Sequence, residues 1–489
     1  MDEAAAAMGG RVTVAGGGDA AAAAERAWRG AGFDSRTIAG GELFFALPGE
    51  QTDGHRFVAR ALAAGAAAAV VHEDVEAPEG AVLVRVDDTV RALHALVDHH
   101  RRRGVPARLA AITGSSGKTT TKELLAAALG RRFRVAKNEG NLNNLYGYPL
   151  SVLRIPADVD WMVAEMGMSS AGELSALSRL GRPDVVVFTC VKPVHLEFFD
   201  SVDAIAAAKA ELLEGIAPEG LVVANADDPH VARFVAAWAA GPGAAARVVW
   251  YGREADAEGR PRPDVAAEDL RPAGAGEPGS RFTLVVRRGA GFESTAGEER
   301  REVHLALHGA NNVDNALAAA ATAVALGASL DDVAAAFAAA APAAGRGIVH
   351  RLAGGTLVVD DTYNSNPDAL ARALAAAAEL AGAERRRWAV LGDMLELGPE
   401  APRFHREAGH RAAELGFDPV AGVGALAREL AAAAGEAGAE APWFADAGTA
   451  AGWAADELAA GDLVLVKGSR GVGLDAVVER LRAAGEATA

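Results

Sequence analysis

Residues 109–129 read LAAITGSSGKTTTKELLAAAL, and the centre of that stretch, Thr113-Gly114-Ser115-Ser116-Gly117-Lys118-Thr119-Thr120, decides the fold. Residues 109–113 read as a strand, and beyond the glycines Leu124, Leu125 and Leu129 share one helical face. A glycine turn between strand and helix is the local structure that phosphate binding needs. Glycines let backbone N–H groups close around phosphate oxygens, the helix N-terminus favours negative charge, Lys118 neutralises it, and the Thr119 hydroxyl is a ligand for Mg²⁺. The reading is therefore an ATP site rather than a chance glycine turn. Ile112 stands where the general pattern has its first glycine, five residues before Gly117, so the loop is a shortened variant. No Asn-Lys-x-Asp guanine reader occurs in the chain, which sets it apart from regulatory GTPases.

Downstream, short strands are predicted at 161–164, 185–189 and 221–224, separated by helical stretches, which is the alternation of a parallel sheet with crossover helices. Upstream, ELFFALPGE at 42–50, a helical stretch at 57–64 and a strand at 68–72 suggest a small α/β domain. It ends near the basic run 101–103, with 104–107 as a linker. The segment 254–300, rich in Gly, Pro, Arg and Glu, reads as an excursion of hairpins and loops outside the core, with one strand at 282–286. A second alternation begins after Ala344, with strands at 356–360, 388–391 and 463–467. The predicted class is α/β in three domains, 1–105, 106–344 and 345–489.

Composition agrees. A chain of 489 residues, 51% of them hydrophobic, exceeds what one compact core supports. The formal net charge of -17 repels nucleic-acid backbones and anionic membrane surfaces, which favours small soluble partners. The one cysteine, Cys190, rules out an intramolecular disulfide and reads as a buried, inert thiol. The N-terminus starts acidic and builds no long apolar run, so it does not read as a signal peptide, and no apolar stretch reaches the ~20 residues of a membrane span. A cytoplasmic protein is expected, and nothing requires more than a monomer. Abundant alanine fits either face of a helix, so helix boundaries are soft.

Two candidate metal ligands sit at carboxyl ends of predicted strands, where open α/β sheets hold ligands: Glu165 after 161–164, and His195 in the segment after 185–189. Alone, a loop histidine is more often a solvated or satisfied residue, and it gains weight beside a Mg²⁺-ATP loop. Lys209 lies in the helical stretch 202–213 with Ile205, Ala206, Leu212 and Leu213 three and four residues away, hence on the apolar face. An ammonium there snorkels, finds a partner or loses its charge, because burying it unpaired costs several kcal/mol.

These features in this order resemble the Mur ligase family: the TGSSGKT loop, Glu165 in EMGMS, His195 in HLE and Lys209 in AKAEL. Further blocks are FFALPGEQTDGH at 44–55, EGNLNN at 139–144, DDTYNSNP at 360–367, VLGDMLELG at 390–398 and VKGSR at 466–470. They are similar to the branch of the family that joins D-alanyl-D-alanine to a UDP-N-acetylmuramoyl tripeptide. The resemblance implies an N-terminal domain for the UDP substrate, a central P-loop-type parallel-sheet ATPase and a C-terminal Rossmann-like domain. It also implies ATP activation of the tripeptide carboxylate as an acyl phosphate, with two Mg²⁺ ions held by Thr119, Glu165, His195 and a carbamylated Lys209. By the same resemblance Asp34, Ser35, Arg36 and Thr37 meet the uridine nucleotide, and Asn141, Asn143 and Asn144 lie near its pyrophosphate and sugar. Turn chemistry is the plainer reading of both segments. Asn312 and Asn315 match the adenine-binding asparagines, Arg346, Asp361 and Tyr363 meet the nucleotide from the third domain, and 467–470 is a candidate dipeptide loop. Two positions depart from the family pattern: Asn311 where histidine is usual, and Tyr146, in Leu145-Tyr146, where a smaller residue is common.

Three rival readings fit these blocks less well. The ligase that adds a diamino acid to the muramoyl dipeptide carries a DNPR motif, and the chain has none. A folylpolyglutamate synthetase leaves the uridine block without a use. An ATP-switched binding module has no need of a second metal site.

Overall fold

The computed structural model describes residues 1–49, 52–106, 108–194, 196–253, 259–273, 279–288, 292 and 297–487. By internal contacts the chain forms two units: 1–113 with 132–186 and 210–221, and 114–131 with 187–209 and 222–489.

In the first unit, strands β1 (Arg11–Val14), β2 (Ala31–Gly32), β3 (Leu43–Phe45), β4 (Ala68–Val71) and β5 (Val82–Arg85) form a sheet in the order β1-β5-β4-β3-β2. Only the β1–β5 pair is antiparallel. Leu43, Phe44, Phe45 and all four residues of β4 are buried, as expected of short apolar strands covered on both faces. The helix Thr89–Arg102 follows, capped by the Asp88 carboxylate accepting from the Val90 and Arg91 N–H groups. The same unit holds β6 (Arg108–Thr113), β7 (Val135–Lys137) and β8 (Trp161–Glu165), parallel in the order β7-β8-β6, with Ile112 in register with Glu165. The chain leaves this unit along β9 (Val185–Phe188) and at the start of β10 (Leu221–Asn225).

In the second unit, β10 is followed by β11 (Arg247–Gly252), β12 (Val265–Pro272), β13 (Ser280–Arg288) and β14 (Gly297–Leu305), ordered β14-β13-β12-β11-β10. β12 to β14 are an antiparallel meander. The excursion expected to lie outside the core thus contributes to it, since Phe282, Leu284, Val285 and Val286 are fully buried. Across this sheet lies the helix Ala310–Ala325, in which twelve of sixteen residues are buried; its alanines let it approach β11 to β13 and the helix Lys118–Leu129 closely.

The remaining strands are β15 (Ile348–Arg351), β16 (Leu357–Asp361), β17 (Arg387–Gly392), β18 (Val420–Val423), β19 (Trp443–Phe444) and β20 (Leu463–Lys467). They are ordered β15-β16-β20-β17-β18-β19 and parallel except for β15. Alternate residues feed two cores. Leu357, Val359, Ala389, Leu391, Leu463 and Leu465 face one, and Val358, Trp388, Val390, Val464 and Val466 face the other. Helices therefore cover both faces, and the strand ends are left for loops that carry polar side chains.

Candidate active site

Within the second unit the glycine loop opens onto a cavity of about 900 Å³. It is lined by residues 115–120, by Thr189, Cys190 and Asn225, by 311–315 without Val313, and by Arg346, Asp361, Tyr363 and Lys467. The two loop glycines have separate reasons. Gly114 has φ 153°, and a Cβ there would overlap the Thr189 hydroxyl; Gly117 has φ 83°, and a Cβ there would overlap Asn315 Oδ1. The loop is pinned from outside, for the Ser115 N–H donates to the Cys190 carbonyl at 2.8 Å and Thr189 Oγ1 donates to the Ser116 carbonyl at 2.6 Å. Lys118 Nζ donates to the Gly114 carbonyl at 2.7 Å, which folds its ammonium back over the turn. Thr119 lies in the first turn of the helix Lys118–Leu129 and is 8% exposed.

Lys209 is carried on the helix Val202–Ala210 and is 3% exposed, so its tip is not in water. Burial, reinforced by the positive charge of Lys118 and opposed by the Cys190 thiol, lowers the pKa of its amine to about 7. Cys190 is buried as expected, yet it lines the cavity, with Sγ 3.2 Å from Ser116 Oγ. Asn312 and Asn315 both line the cavity and are joined, Asn315 Nδ2 donating to Asn312 Oδ1 at 3.1 Å while Asn312 Nδ2 donates to the His308 carbonyl at 2.7 Å. The guanidinium of Arg346 lies 4.1 Å from the Tyr363 ring centroid, and Asp361 Oδ2 accepts from Lys467 Nζ at 2.7 Å. Asn311 also lines the cavity, so the departure from histidine changes its wall.

In the first unit, Glu165 ends β8 and is 2% exposed. Asn138, one residue beyond β7, pairs with its backbone as a strand would: Nδ2 donates to the Glu165 carbonyl at 3.0 Å and Oδ1 accepts the Glu165 N–H at 3.0 Å. Asn143 Nδ2 donates to Glu165 Oε1 at 2.7 Å, so this amide braces the carboxylate. Asn144 Oδ1 accepts the Gly147 N–H at 2.9 Å at the start of the helix Gly147–Arg154, and Asn141 is exposed. Tyr146 is exposed, and the Leu145 carbonyl accepts from His94 Nε2 at 2.7 Å. Residues 34–37 form a self-contained turn in which Arg36 pairs with Asp34 through two nitrogens and Thr37 Oγ1 donates to the Asp34 carbonyl at 3.0 Å. That hydrogen bond from Arg36 holds the Asp34 carboxyl below its ordinary value. Ser35 is buried beneath the turn. His195 lies outside the described residues.

Sequence reasoning missed several residues. Asn225 ends β10, a strand end of the kind that singled out Glu165, and donates to the Thr189 carbonyl at 2.8 Å. Asp228 Oδ2 accepts the Val191 N–H at 2.9 Å and so anchors the segment after β9. Asp314, paired with Arg253 at 2.7 Å, lines the cavity with its carboxyl raised by burial. Arg372, on the helix Pro367–Ala381, lines the cavity too, and no local pattern marks it.

Comparison with known proteins accounts for nearly the whole chain. The profile of the Mur ligase family, catalytic domain, matches 28–111; that of the Mur ligase middle domain matches 112–323; that of the Mur ligase, glutamate ligase domain, matches 345–470. The UDP-N-acetylmuramoyl-tripeptide--D-alanyl-D-alanine ligase of Mycobacterium bovis is 36% identical, covering 92% of this chain and 91% of that one. The ligase of the same name from Escherichia coli is 34% identical, with 92% of each chain covered. A crystal structure of MurF from Acinetobacter baumannii superposes with a TM-score of 0.80 at 28% identity, covering 99% of this chain and 98% of that one. The MurF ligase of Thermotoga maritima in complex with ADP gives 0.75 at 27% identity, covering 94% and 99%. Matched by three successive family profiles, by relatives over nine-tenths of its length and by the fold of solved MurF structures, the chain belongs to the Mur ligase family.

Proposed function

We propose that the chain joins D-alanyl-D-alanine to UDP-N-acetylmuramoyl tripeptide in an ATP-dependent reaction that passes through an acyl phosphate, completing the pentapeptide precursor of peptidoglycan. The observation that carries this reading is the cavity of the second unit. It sets a phosphate loop, a cationic and an acidic wall from the carboxyl ends of β16 and β20, and paired asparagines around one space. Relatives bearing the ligase name match over nine-tenths of the chain, and a neighbour of this fold binds ADP.

A carboxylate is a poor electrophile, so it is first activated. The loop N–H groups and Lys118 hold the phosphates, the tripeptide carboxylate attacks the γ-phosphorus in line, and ADP leaves. The dipeptide amine then attacks the carbonyl carbon of the acyl phosphate, the tetrahedral adduct collapses, phosphate departs and the amine loses its proton. Asn312 and Asn315 take the adenine, and Arg346, Asp361 and Tyr363 meet the nucleotide. Ser35, Arg36, Thr37, Asn141 and Asn144 take the UDP moiety. The residues assigned to Mg²⁺ are Thr119, Glu165 and His195; a hydroxyl and a carboxylate braced by a neutral amide are oxygen donors of the kind this ion takes. When bound, the ion disperses the charge that develops on the phosphate oxygens. A buried amine with a pKa of about 7 is about half free base at neutral pH, the form that adds CO₂ and releases a proton; once carbamylated, Lys209 would support the second ion.

We further read the chain as three domains at 1–105, 106–344 and 345–489, working as a cytoplasmic monomer. Among the described residues no helix is long and apolar enough to cross a membrane. Phosphate release from ATP tests the reading. It is expected only with UDP-N-acetylmuramoyl tripeptide and D-alanyl-D-alanine together; release with the dipeptide substrate and a diamino acid instead would move the chain one step earlier.

A further inference from the structure

β16, β20 and β17 lie side by side and parallel, and the sheet changes direction among them: β17, β18 and β19 step outward, and β20 returns between β16 and β17. Open α/β sheets hold ligands beyond the carboxyl ends of strands at such a point. The three loops there are tied together. Lys467 Nζ, at the end of β20, donates to Asp361 Oδ2 at 2.7 Å and to the Asn364 carbonyl at 2.9 Å. Ser469 donates its N–H to the Asp393 carbonyl at 3.0 Å and accepts the Leu395 N–H on Oγ at 3.1 Å.

Two side chains in this braced cluster are exposed, Leu395 and Arg470. Leu395 is 43% exposed although its neighbours Met394 and Leu397 are buried. Its exposure is not slack: the Met394 N–H donates to Nε2 of the buried His405, whose Nδ1 is 2.7 Å from the Ala401 carbonyl. Arg470 is exposed, and among the described residues it has no carboxylate within 4.0 Å; its guanidinium lies 5.7 Å from the Tyr363 ring centroid. Leu395 lies beside the residue that follows Arg470, since a Cβ on Gly471 would sit 3.3 Å from Leu395 Cδ1.

We propose that Arg470 binds the C-terminal carboxylate of the incoming dipeptide and that Leu395 packs against its methyl groups, an assignment that rests on the ligase reading above. D-alanyl-D-alanine offers one carboxylate, two methyl groups and an amine that must stay free to attack. Recognition therefore needs one cation and a small apolar surface. Lys467 cannot be that cation, being held by Asp361 and Asn364, and Arg346 faces the cavity of the phosphate loop. Arg470 is the guanidinium left over in the cluster, and a guanidinium matches a carboxylate through two parallel N–H groups.

The test compares D-alanyl-D-alanine with D-alanyl-D-alaninamide as acceptor in wild type, Arg470→Gln and Arg470→Lys, with ATP and UDP-N-acetylmuramoyl tripeptide saturating. Wild type is expected to favour the carboxylate by roughly 10- to 100-fold in kcat/KM. Arg470→Gln is expected to lose most of that preference while the KM values for ATP and the tripeptide stay put, Arg470→Lys retains part of it, and Leu395→Ala raises KM for the dipeptide alone. Full preference surviving in Arg470→Gln, or equal damage to all three KM values, would overturn the assignment. Should Arg470→Gln fail to fold, the lysine variant decides by the same comparison. Wild type that releases no phosphate with either acceptor would instead sink the ligase reading and this assignment with it.

Discussion

A lysine with 3% exposure on an apolar helix face sets the residue-scale problem, because its charged form is disfavoured there. Its pKa falls from 10.5 to about 7 through burial. Between those values the unfolded chain binds a proton that the folded chain does not, so this group makes stability rise with pH across that window. Below about 7 both states are charged and the burial cost is complete. In CO₂-free buffer, Lys209→Met is therefore expected to melt above wild type at pH 7, and the gap is expected to narrow by pH 9.5. A gap constant with pH would show the amine is not buried as described. The place of Lys209 on an apolar face was legible from its spacing, and its role came only from the resemblance. The place of Asn143 was not legible: resemblance placed it near the sugar of the UDP substrate, while its amide lies on Glu165 Oε1. No sequence pattern reveals that this loop amide meets a strand end 22 residues further on. Asn143→Ala is expected to lower kcat about tenfold with the KM for the UDP substrate little changed; a rise in KM with kcat kept would return Asn143 to the substrate.

At the scale of elements, the phosphate loop is specified twice over, by backbone conformation and by close neighbours. Gly117→Ala meets both a φ of 83° and Asn315 Oδ1, so it is expected to cost about 1–3 kcal/mol of stability and to weaken ADP binding at least tenfold by calorimetry. Unchanged ADP affinity would mean that Asn315 and the loop are not coupled. The predicted strands match observed strands at their cores because their apolar runs are short and end in polar or glycine residues. The helix Ala310–Ala325 was less readable, since alanine on every face gives no stripe. The meander β12 to β14 was misjudged as peripheral because its glycine-rich and charged flanks, including the exposed residues of β14, mask the apolar run 282–286.

Over the whole molecule, the three matched family segments, 28–111, 112–323 and 345–470, follow the chain in order, whereas internal contacts divide it into two discontinuous units. Composition could indicate several domains but not that division, because the crossings at 113/114, 131/132, 186/187, 209/210 and 221/222 fall within or beside strands and helices rather than in linkers. Function was legible further than packing, since phosphate chemistry leaves a local motif and burial does not. In the proposed route the tripeptide carboxylate takes the γ-phosphoryl group before it meets the dipeptide amine. Tripeptide labelled with ¹⁸O in its reacting carboxylate, turned over with ATP and D-alanyl-D-alanine, measures this directly by mass spectrometry of the released phosphate. One labelled oxygen in each phosphate is the predicted result; phosphate released without label, alongside product, would contradict the acyl-phosphate route.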